Sequence, residues 1–180
     1  MTQMPATIDT TVTFLEMHNR PNNHVPAPIN LKLLLLRAEN MPVHFYRYLY
    51  DTVGRGHYWI DRKKMADADL ENAIKQQNIS IYVLYVAGVP AGYFELAQAD
   101  ETVDLAYFGL IADYHGHGLG KWLLNEAIMT AWDMNPKRVA VETCTLDAPH
   151  ALSLYQKLGF VPFARKDKTM QLPAGFSPEM

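Results

Sequence analysis

The chain has 180 residues, of which 49% are hydrophobic and 19% are charged, and these proportions are ordinary for one globular domain. Its formal net charge is -3 and it contains no basic block, which argues against a nucleic-acid partner. The longest apolar run, Leu33 to Leu36, is far too short to cross a bilayer, and residues 1–10 lack the basic flank and apolar run of a signal peptide, so we expect no membrane association.

The first 30 residues are predicted to form one strand and a connector that pack on the domain that follows. Thr11 to Leu15 is rich in β-branched and aromatic residues, which favours a strand. Pro21, Pro26 and Pro28 indicate an irregular connection. We expect a single domain over residues 31–172 and a loose tail over residues 173–180.

The domain is predicted to open with a strand and two helices. Leu31 to Arg37 is a continuous apolar run and is interpreted as a buried strand, although periodicity alone does not exclude a helix. Asn40 is a candidate cap for a helix that begins near Pro42 and places Phe45, Leu49 and Val53 on one side. A second, more polar helix is expected over about residues 62–76.

Three strands are predicted next, over residues 79–86, 91–98 and 102–111. The turns between them, at residues 88–90 and at Ala99-Asp100, are too short for anything but an antiparallel meander.

The pattern then changes to helices that alternate with strands. Residues 115–120 are a glycine-rich turn, and the apolar positions that follow recur with helical spacing: Leu124, Ala127, Ile128, Ala131 and Trp132. A strand is expected over residues 138–143, a short helix between Asp147 and Gly159, and a further strand from Phe160. The strands before and after the first of these helices should be parallel, so the fold class is α/β with a mixed sheet.

The glycine-rich turn between a strand and a helix is the strongest functional signal. The backbone N–H groups of Gly116, Gly118 and Gly120 can approach a ligand without a side chain in the way, at a helix end that favours anions. This pattern suits a pyrophosphate. It lacks the Gly-Lys-Ser/Thr ending of a P-loop, and the antiparallel meander before it does not fit a dinucleotide-binding fold.

Two segments in this order resemble the GCN5-related N-acetyltransferase family. The turn is similar to the family's Arg/Gln-x-x-Gly-x-Gly/Ala motif, placed on His115, Gly118 and Gly120, with histidine where the family usually has arginine or glutamine. Residues 147–160 are similar to the family's late helix, which ends in Leu-Tyr-x-x-x-Gly-Phe. The resemblance covers roughly residues 31–168.

The resemblance implies that acetyl-CoA is the co-substrate and that a primary amine attacks it directly in a ternary complex. It also implies that strands 102–111 and 138–143 splay apart, with the pantetheine arm on the freed edge and a backbone N–H near Leu110 or Ile111 facing the carbonyl oxygen. The expected cofactor-binding residues are Leu110, Ile111, His115, Gly116, His117, Gly118, Leu119, Gly120, Lys121 and Asp147. For Asp147, capping of the late helix is the alternative.

Three residues are candidates for catalysis. Tyr155 matches the family's general acid, although it also lies on the apolar stripe of its helix. Glu95 and Asp104 are candidate bases because a charge within an apolar strand is costly unless it is functional or paired. If the hairpin turns at Ala99-Asp100, the two carboxylates face each other and one of them has a raised pKa.

The sequence does not identify the acceptor amine. The aromatic stretch Tyr46 to Trp59 either lines its pocket or belongs to the core of a helix. A non-catalytic module of the same fold that senses acyl-CoA or an amine, and an unrelated nucleotide-binding enzyme, are the rival functions.

The remaining expectations concern cysteine, metal, location and assembly. Cys144, the one cysteine of the chain, suits a reducing compartment, so we expect a cytoplasmic protein, and we interpret this residue as structural. No histidine has metal-ligand spacing, so no metal is expected. A homodimer is plausible.

Overall fold

The computed structural model describes residues 6–22, 24–173 and 176. Seven strands form one sheet in the order β2-β3-β4-β5-β6-β1-β7, in which β5 and β6 are parallel and all other neighbours are antiparallel. The strands are β1 Thr7–Met17, β2 Leu33–Arg37, β3 Ile79–Val86, β4 Val89–Ala99, β5 Thr102–Leu110, β6 Arg138–Cys144 and β7 Val161–Gln171.

Helices cover both faces of the sheet. On one face, α1 (Val43–Gly54) and α2 (Asp67–Ile74) form a core with Tyr93. On the other face, α3 (Leu119–Asp133) and α4 (Ala151–Lys157) form a core with Phe94. Alternate residues of a strand point to opposite faces, so each of the two layers has its own core. The mixed α/β fold class is confirmed.

Several local predictions need correction. The strand at 33–37 is an edge strand rather than a buried one, because Leu34 and Leu36 are 53% and 48% exposed. Pro42 rather than Asn40 occupies the N-cap position of α1, without a side-chain hydrogen bond. The polar helix expected over 62–76 is a short 3-10 turn at Arg62–Lys64 followed by α2, because residues 65 and 66 adopt extended backbone.

The hairpin between β4 and β5 turns one residue later than predicted. Ala99 pairs with Thr102, so the turn residues are Asp100 and Glu101, and Asp100 takes a positive φ of 52°. As a result Asp104 faces Ala97 rather than Glu95, and the predicted facing pair of carboxylates is wrong.

A bulge in β5 opens the sheet. Leu105 faces Leu96 and Tyr107 faces Glu95, so Ala106 is the extra residue. The parallel ladder to β6 covers only residues 102–105 of β5 and 138–141 of β6. Beyond this point β5 and β6 no longer pair with each other, although each keeps its other neighbour, and this confirms the expected splay.

Described residues near both ends of the chain contact the rest of the molecule. β1 lies between β6 and β7 and pairs with both. Of the predicted C-terminal tail, residues 174, 175 and 177–180 lie outside the described residues, whereas the ring of Phe176 packs 5.6 Å from that of Tyr58. Among the residues that the structure describes, no helix is both long and apolar enough to cross a membrane.

Gly109 lets α1 approach the sheet beside the splay. A Cβ atom added at Gly109 would lie 2.5 Å from Val53 Cγ1, and Val53 is buried. We therefore expect Gly109→Ala to lower the free energy of unfolding by about 1–3 kcal/mol through overpacking, measured by urea denaturation. In the control Gly120→Ala the added Cβ would lie 3.7 Å from Leu110 Cδ1, an ordinary contact, and alanine favours the helix, so this variant should be at least as stable as the parent. Equal stability of the two variants would contradict the prediction.

Candidate active site

A cavity of about 720 Å³ lies where β5 and β6 separate. One part, which we call the glycine-loop half, is lined by Leu110, His115, Gly120, Asp147 and Tyr155. The other part, which we call the aromatic half, is lined by Phe14, Tyr58, Trp59, Tyr107 and Phe163.

The open edge of β5 presents backbone donors to the cavity. The N–H of Ile111 donates to the carbonyl oxygen of Ala91 on β4 at 2.8 Å. Because neighbouring residues of a strand point their N–H groups in opposite directions, the N–H groups of Leu110 and Phe108 point away from β4 and toward the splay. Of the two donors predicted, Leu110 is therefore the available one, and Phe108 is a donor that the sequence did not indicate.

The glycine loop is shaped for close approach by a ligand. Gly116 and Gly118 have φ values of 80° and 76°, which side chains rarely tolerate, and a Cβ added at either would meet no atom within 4 Å. Gly118 directly precedes α3, whose first turn contains no acidic residue. The N–H groups at this helix end have no partner within the helix, so the loop fits an anion such as a pyrophosphate.

His115 folds back onto the chain that precedes the loop. Its Nε2 lies 3.1 Å from the carbonyl oxygen of Leu110, and because a carbonyl oxygen only accepts, Nε2 is the donor. The side chains of His117 and Lys121 are exposed. The contact ties the first residue of the loop to the end of β5.

Tyr155 lies on α4 in the glycine-loop half of the cavity and is 7% exposed. Its ring centroid lies 6.4 Å from that of Phe108 and 5.9 Å from that of Phe160. Burial, and to a lesser extent the negative charge of Asp147, raise the pKa of the Tyr155 hydroxyl. The hydroxyl therefore remains a proton donor throughout the neutral range.

Asp147 stabilises the end of β6 instead of capping α4. Its Oδ2 accepts hydrogen bonds from Thr143 Oγ1 at 2.6 Å and from the N–H of Cys144 at 2.9 Å. Since α4 begins only at Ala151, with no side-chain cap, the capping alternative is wrong. Asp147 and Cys144 both line the cavity.

Glu95 is buried in a polar cluster behind the wall of the cavity. Its carboxylate accepts a hydrogen bond from the Tyr46 hydroxyl at 2.6 Å and forms an ion pair with Arg62 at 3.0 Å. Burial raises the pKa of Glu95, while Tyr46 and Arg62 oppose that rise. Arg62 lines the cavity, with its guanidinium 5.5 Å from the ring centroid of Tyr107, whereas Glu95 does not line it.

Asp104 lines the cavity directly, on the same face of the sheet as Glu95. Partial burial raises the pKa of its carboxyl group, against the positive charge of Arg138. Two further carboxylates that line the cavity, Asp61 and Glu142, were not predicted from the sequence. Glu142 alternates along β6 with the buried Val139 and Val141, and this alternation was the one sequence feature that could have placed its side chain on the other face of the sheet.

The predicted aromatic stretch divides between cavity and core. Tyr58 and Trp59 line the cavity, whereas Tyr46 is fully buried against the sheet and Tyr48 is exposed elsewhere. Phe14, outside the segment considered for the acceptor, and Phe163 on β7 also line the cavity. Strands β1 and β7, which are far from the aromatic stretch in sequence, carry these two rings to the site. No local sequence pattern could therefore predict them.

A splayed mixed sheet with a glycine loop at the open edge is the arrangement that the resemblance to N-acetyltransferases implied. The model of the acetyltransferase (GNAT) family matches residues 44–160, and this chain belongs to that family. The match includes the glycine loop, Glu95, Asp104 and Tyr155.

Solved structures show the same fold at low sequence identity. A GCN5-related N-acetyltransferase from Kribbella flavida is 16% identical, with a TM-score of 0.59 over 92% of this chain and 59% of that chain. A tandem GNAT protein from the clavulanic acid biosynthesis pathway is 18% identical, with a TM-score of 0.60 over 98% and 55%. An aminoglycoside acetyltransferase from an uncultured soil metagenomic sample, in complex with sisomicin, is 13% identical, with a TM-score of 0.57 over 71% and 87%. This chain thus spans little more than half of the first two proteins.

The ion pair between Glu95 and Arg62 is expected to stabilise the fold. Removal of a buried partner leaves an uncompensated charge, so Glu95→Ala should lower the free energy of unfolding by about 3 kcal/mol, measured by urea denaturation. Glu71 provides a control, because it pairs with Lys75 on the exposed surface of α2. Glu71→Ala should change stability by less than about 0.5 kcal/mol. A similar small loss for Glu95→Ala would contradict a structural role for this pair.

Proposed function

We propose that this protein transfers an acetyl group from acetyl-CoA to a primary amine. The observation that carries the proposal is one cavity that joins the glycine loop, the open edge of β5 and Tyr155. Family membership supports acetyl transfer in general, and the cavity supports transfer from acetyl-CoA to an amine. The single cysteine, Cys144, agrees with action in the reducing cytoplasm.

The residues of the glycine-loop half fit coenzyme A. Backbone N–H groups of the loop and of the first turn of α3 would hold the pyrophosphate, where Gly116 and Gly118 leave open space. The N–H groups of Phe108 and Leu110 would pair with the amide groups of the pantetheine arm or with the carbonyl oxygen of the acetyl group. Acetyl-CoA supplies the acetyl group as an activated thioester.

Protein groups would assist each stage of the transfer. The amine nitrogen forms a bond to the carbonyl carbon, and the carbon–sulfur bond breaks. Asp104 accepts the proton that the amine loses, directly or through a water molecule. Tyr155 donates its hydroxyl proton to the departing sulfur, and a backbone N–H of the open β5 edge stabilises the charge that develops on the carbonyl oxygen.

We assign the base to Asp104 rather than to Glu95. Asp104 lines the cavity, and the rise that partial burial causes in its pKa makes it a stronger base than an ordinary aspartate. Glu95 is 0% exposed, and its carboxylate oxygens are engaged by Tyr46 and Arg62. In this proposal Glu95 holds Arg62 in the cavity wall and does not meet the amine.

Binding of acetyl-CoA should be visible as a rise in thermal stability, because a ligand that binds only the folded state stabilises it. We expect Tyr155→Phe to keep this rise and to lower kcat by about 100-fold, with the KM for acetyl-CoA unchanged. The release of free CoA is followed with a thiol reagent. A protein that shows no thermal shift with millimolar acetyl-CoA or CoA would refute the proposal, and a shift without turnover of any amine would favour a sensor.

The pH dependence of turnover tests the assignment of Asp104. A base must be unprotonated, so kcat/KM should fall as the pH drops through the raised pKa of Asp104. Asp104→Asn should lower kcat/KM by about 100-fold and abolish this acid limb. Glu142→Gln, which changes another carboxylate of the cavity, is the matched control. If it removes the acid limb and Asp104→Asn does not, the base is Glu142.

A further inference from the structure

The two edge strands of the sheet differ in how well they are protected against pairing with another chain. The sheet ends at β7 on one side and at β2 on the other. β7 carries Pro162 and the charged residues 165–168, and proline and charges keep an edge strand from accepting a further strand. Residues 33–36 of β2, by contrast, are all leucine. The outer side of β2 is therefore a place where an additional strand can be added.

The backbone of β2 presents regularly spaced hydrogen-bonding groups at this outer side. The N–H of Ala38 donates to the carbonyl oxygen of Ile81 at 2.8 Å, so the even-numbered residues of β2 direct their backbone groups toward β3. Leu33, Leu35 and Arg37 consequently direct their N–H and carbonyl groups away from β3. Among the residues that the structure describes, no strand pairs with this side of β2.

The side chains of β2 leave an apolar stripe uncovered beside this edge. Leu33 and Leu35 pack against the core on the α3 side of the sheet. Leu34 and Leu36 point to the opposite face, where they are 53% and 48% exposed. A neighbouring strand with apolar residues at the same spacing would remove both side chains from water, which is favourable.

A second copy of β2 matches the backbone groups of this edge in an antiparallel register. Hydrogen bonds form across an antiparallel pair only where the outward-facing residues of both strands lie opposite each other. When Leu35 lies opposite Leu35 of the second copy, Leu33 lies opposite Arg37 of the second copy. Each of these residues then exchanges two hydrogen bonds with the residue opposite. A two-fold axis at Leu35 thus satisfies every outward-facing group of the strand.

The same register brings the exposed leucines together and keeps the positive charges apart. Leu34 lies opposite Leu36 of the second copy, so each exposed leucine covers another. Arg37 lies opposite a leucine rather than opposite an arginine. Lys32 is even-numbered and Arg37 odd-numbered, so their side chains point to different faces of the sheet. The edge is therefore complementary to itself in hydrogen bonding, in apolar contact and in charge.

We propose that the protein forms a two-fold symmetric homodimer in which the β2 strands of two copies pair antiparallel about Leu35 and join both sheets into one. Each copy contributes a single five-residue strand, so the interface is small and its Kd should be on the order of 10 µM. Strands β3 and β4 separate β2 from the splay at β5. The proposal therefore does not depend on the proposed function.

Sedimentation velocity over a range of concentrations tests the dimer. The chain has a mass of 20.4 kDa, and we expect this value at about 1 µM and twice this value at about 200 µM. Leu36→Lys, and independently Leu34→Lys, should leave the protein monomeric at both concentrations, because a charge would replace the leucine contact. The matched control is Val161→Lys, which changes an exposed aliphatic residue of the other edge strand and should dimerise as the parent does.

Disulfide cross-linking tests the register. Residues 34 and 36 of the two copies would form a pair without mutual backbone hydrogen bonds, with Cα atoms about 4.5 Å apart, which a disulfide can bridge. A mixture of Leu34→Cys and Leu36→Cys should therefore give a linked dimer on mild oxidation. Either variant alone should give no more than the parent, whose Cys144 supplies the background.

Three results would overturn the proposal. A parent protein that remains monomeric at about 200 µM has no such dimer. A dimer that persists in both lysine variants of β2 as strongly as in Val161→Lys uses another surface. Cross-linking of Leu34→Cys or Leu36→Cys alone, with none in the mixture beyond that, shows a different register. None of these results bears on acetyl transfer, which is measured separately.

Discussion

The end of the ladder between β5 and β6 is the constraint on which the site depends. Backbone pairing stops after Leu105 and Val141, because the bulge at Ala106 turns β5 away from its neighbour. A closed sheet would have filled this space with backbone hydrogen bonds. The opening instead leaves N–H groups unpaired within the sheet, and it lets one cavity reach from the glycine loop to the aromatic rings.

The buried Glu95 shows how the wall of that cavity is held. Charged groups are costly to bury unless they are paired and hydrogen-bonded, and Glu95 meets both conditions through Arg62 and Tyr46. Arg62 belongs to the segment between α1 and α2, so the ion pair fastens this segment to β4. The guanidinium also packs against Tyr107. A carboxylate in an apolar strand can thus shape a site without touching the substrate.

The two faces of the open edge have different chemistry. On the side of α3 and α4, glycine backbone and the Tyr155 hydroxyl suit an anionic, extended ligand and a leaving group. On the side of α1, carboxylates and aromatic rings suit an amine. The sheet separates these ligands except at the splay, so the proposed attack is confined to the point where the strands part.

The sequence by itself determined the elements and the local motifs. Periodicity predicted the meander and the alternating second half, and the glycine loop and the Leu-Tyr-x-x-x-Gly-Phe segment indicated the family, because these signals depend only on neighbours along the chain. Tertiary structure alone decided the register of β4 and β5, which a bulge and a one-residue shift of the turn altered. It also decided that Glu95 is paired while Asp104 faces the cavity, and that Phe14, Phe163 and Trp59 line the same cavity. Such contacts join residues far apart in sequence, and no local pattern encodes which of them will meet.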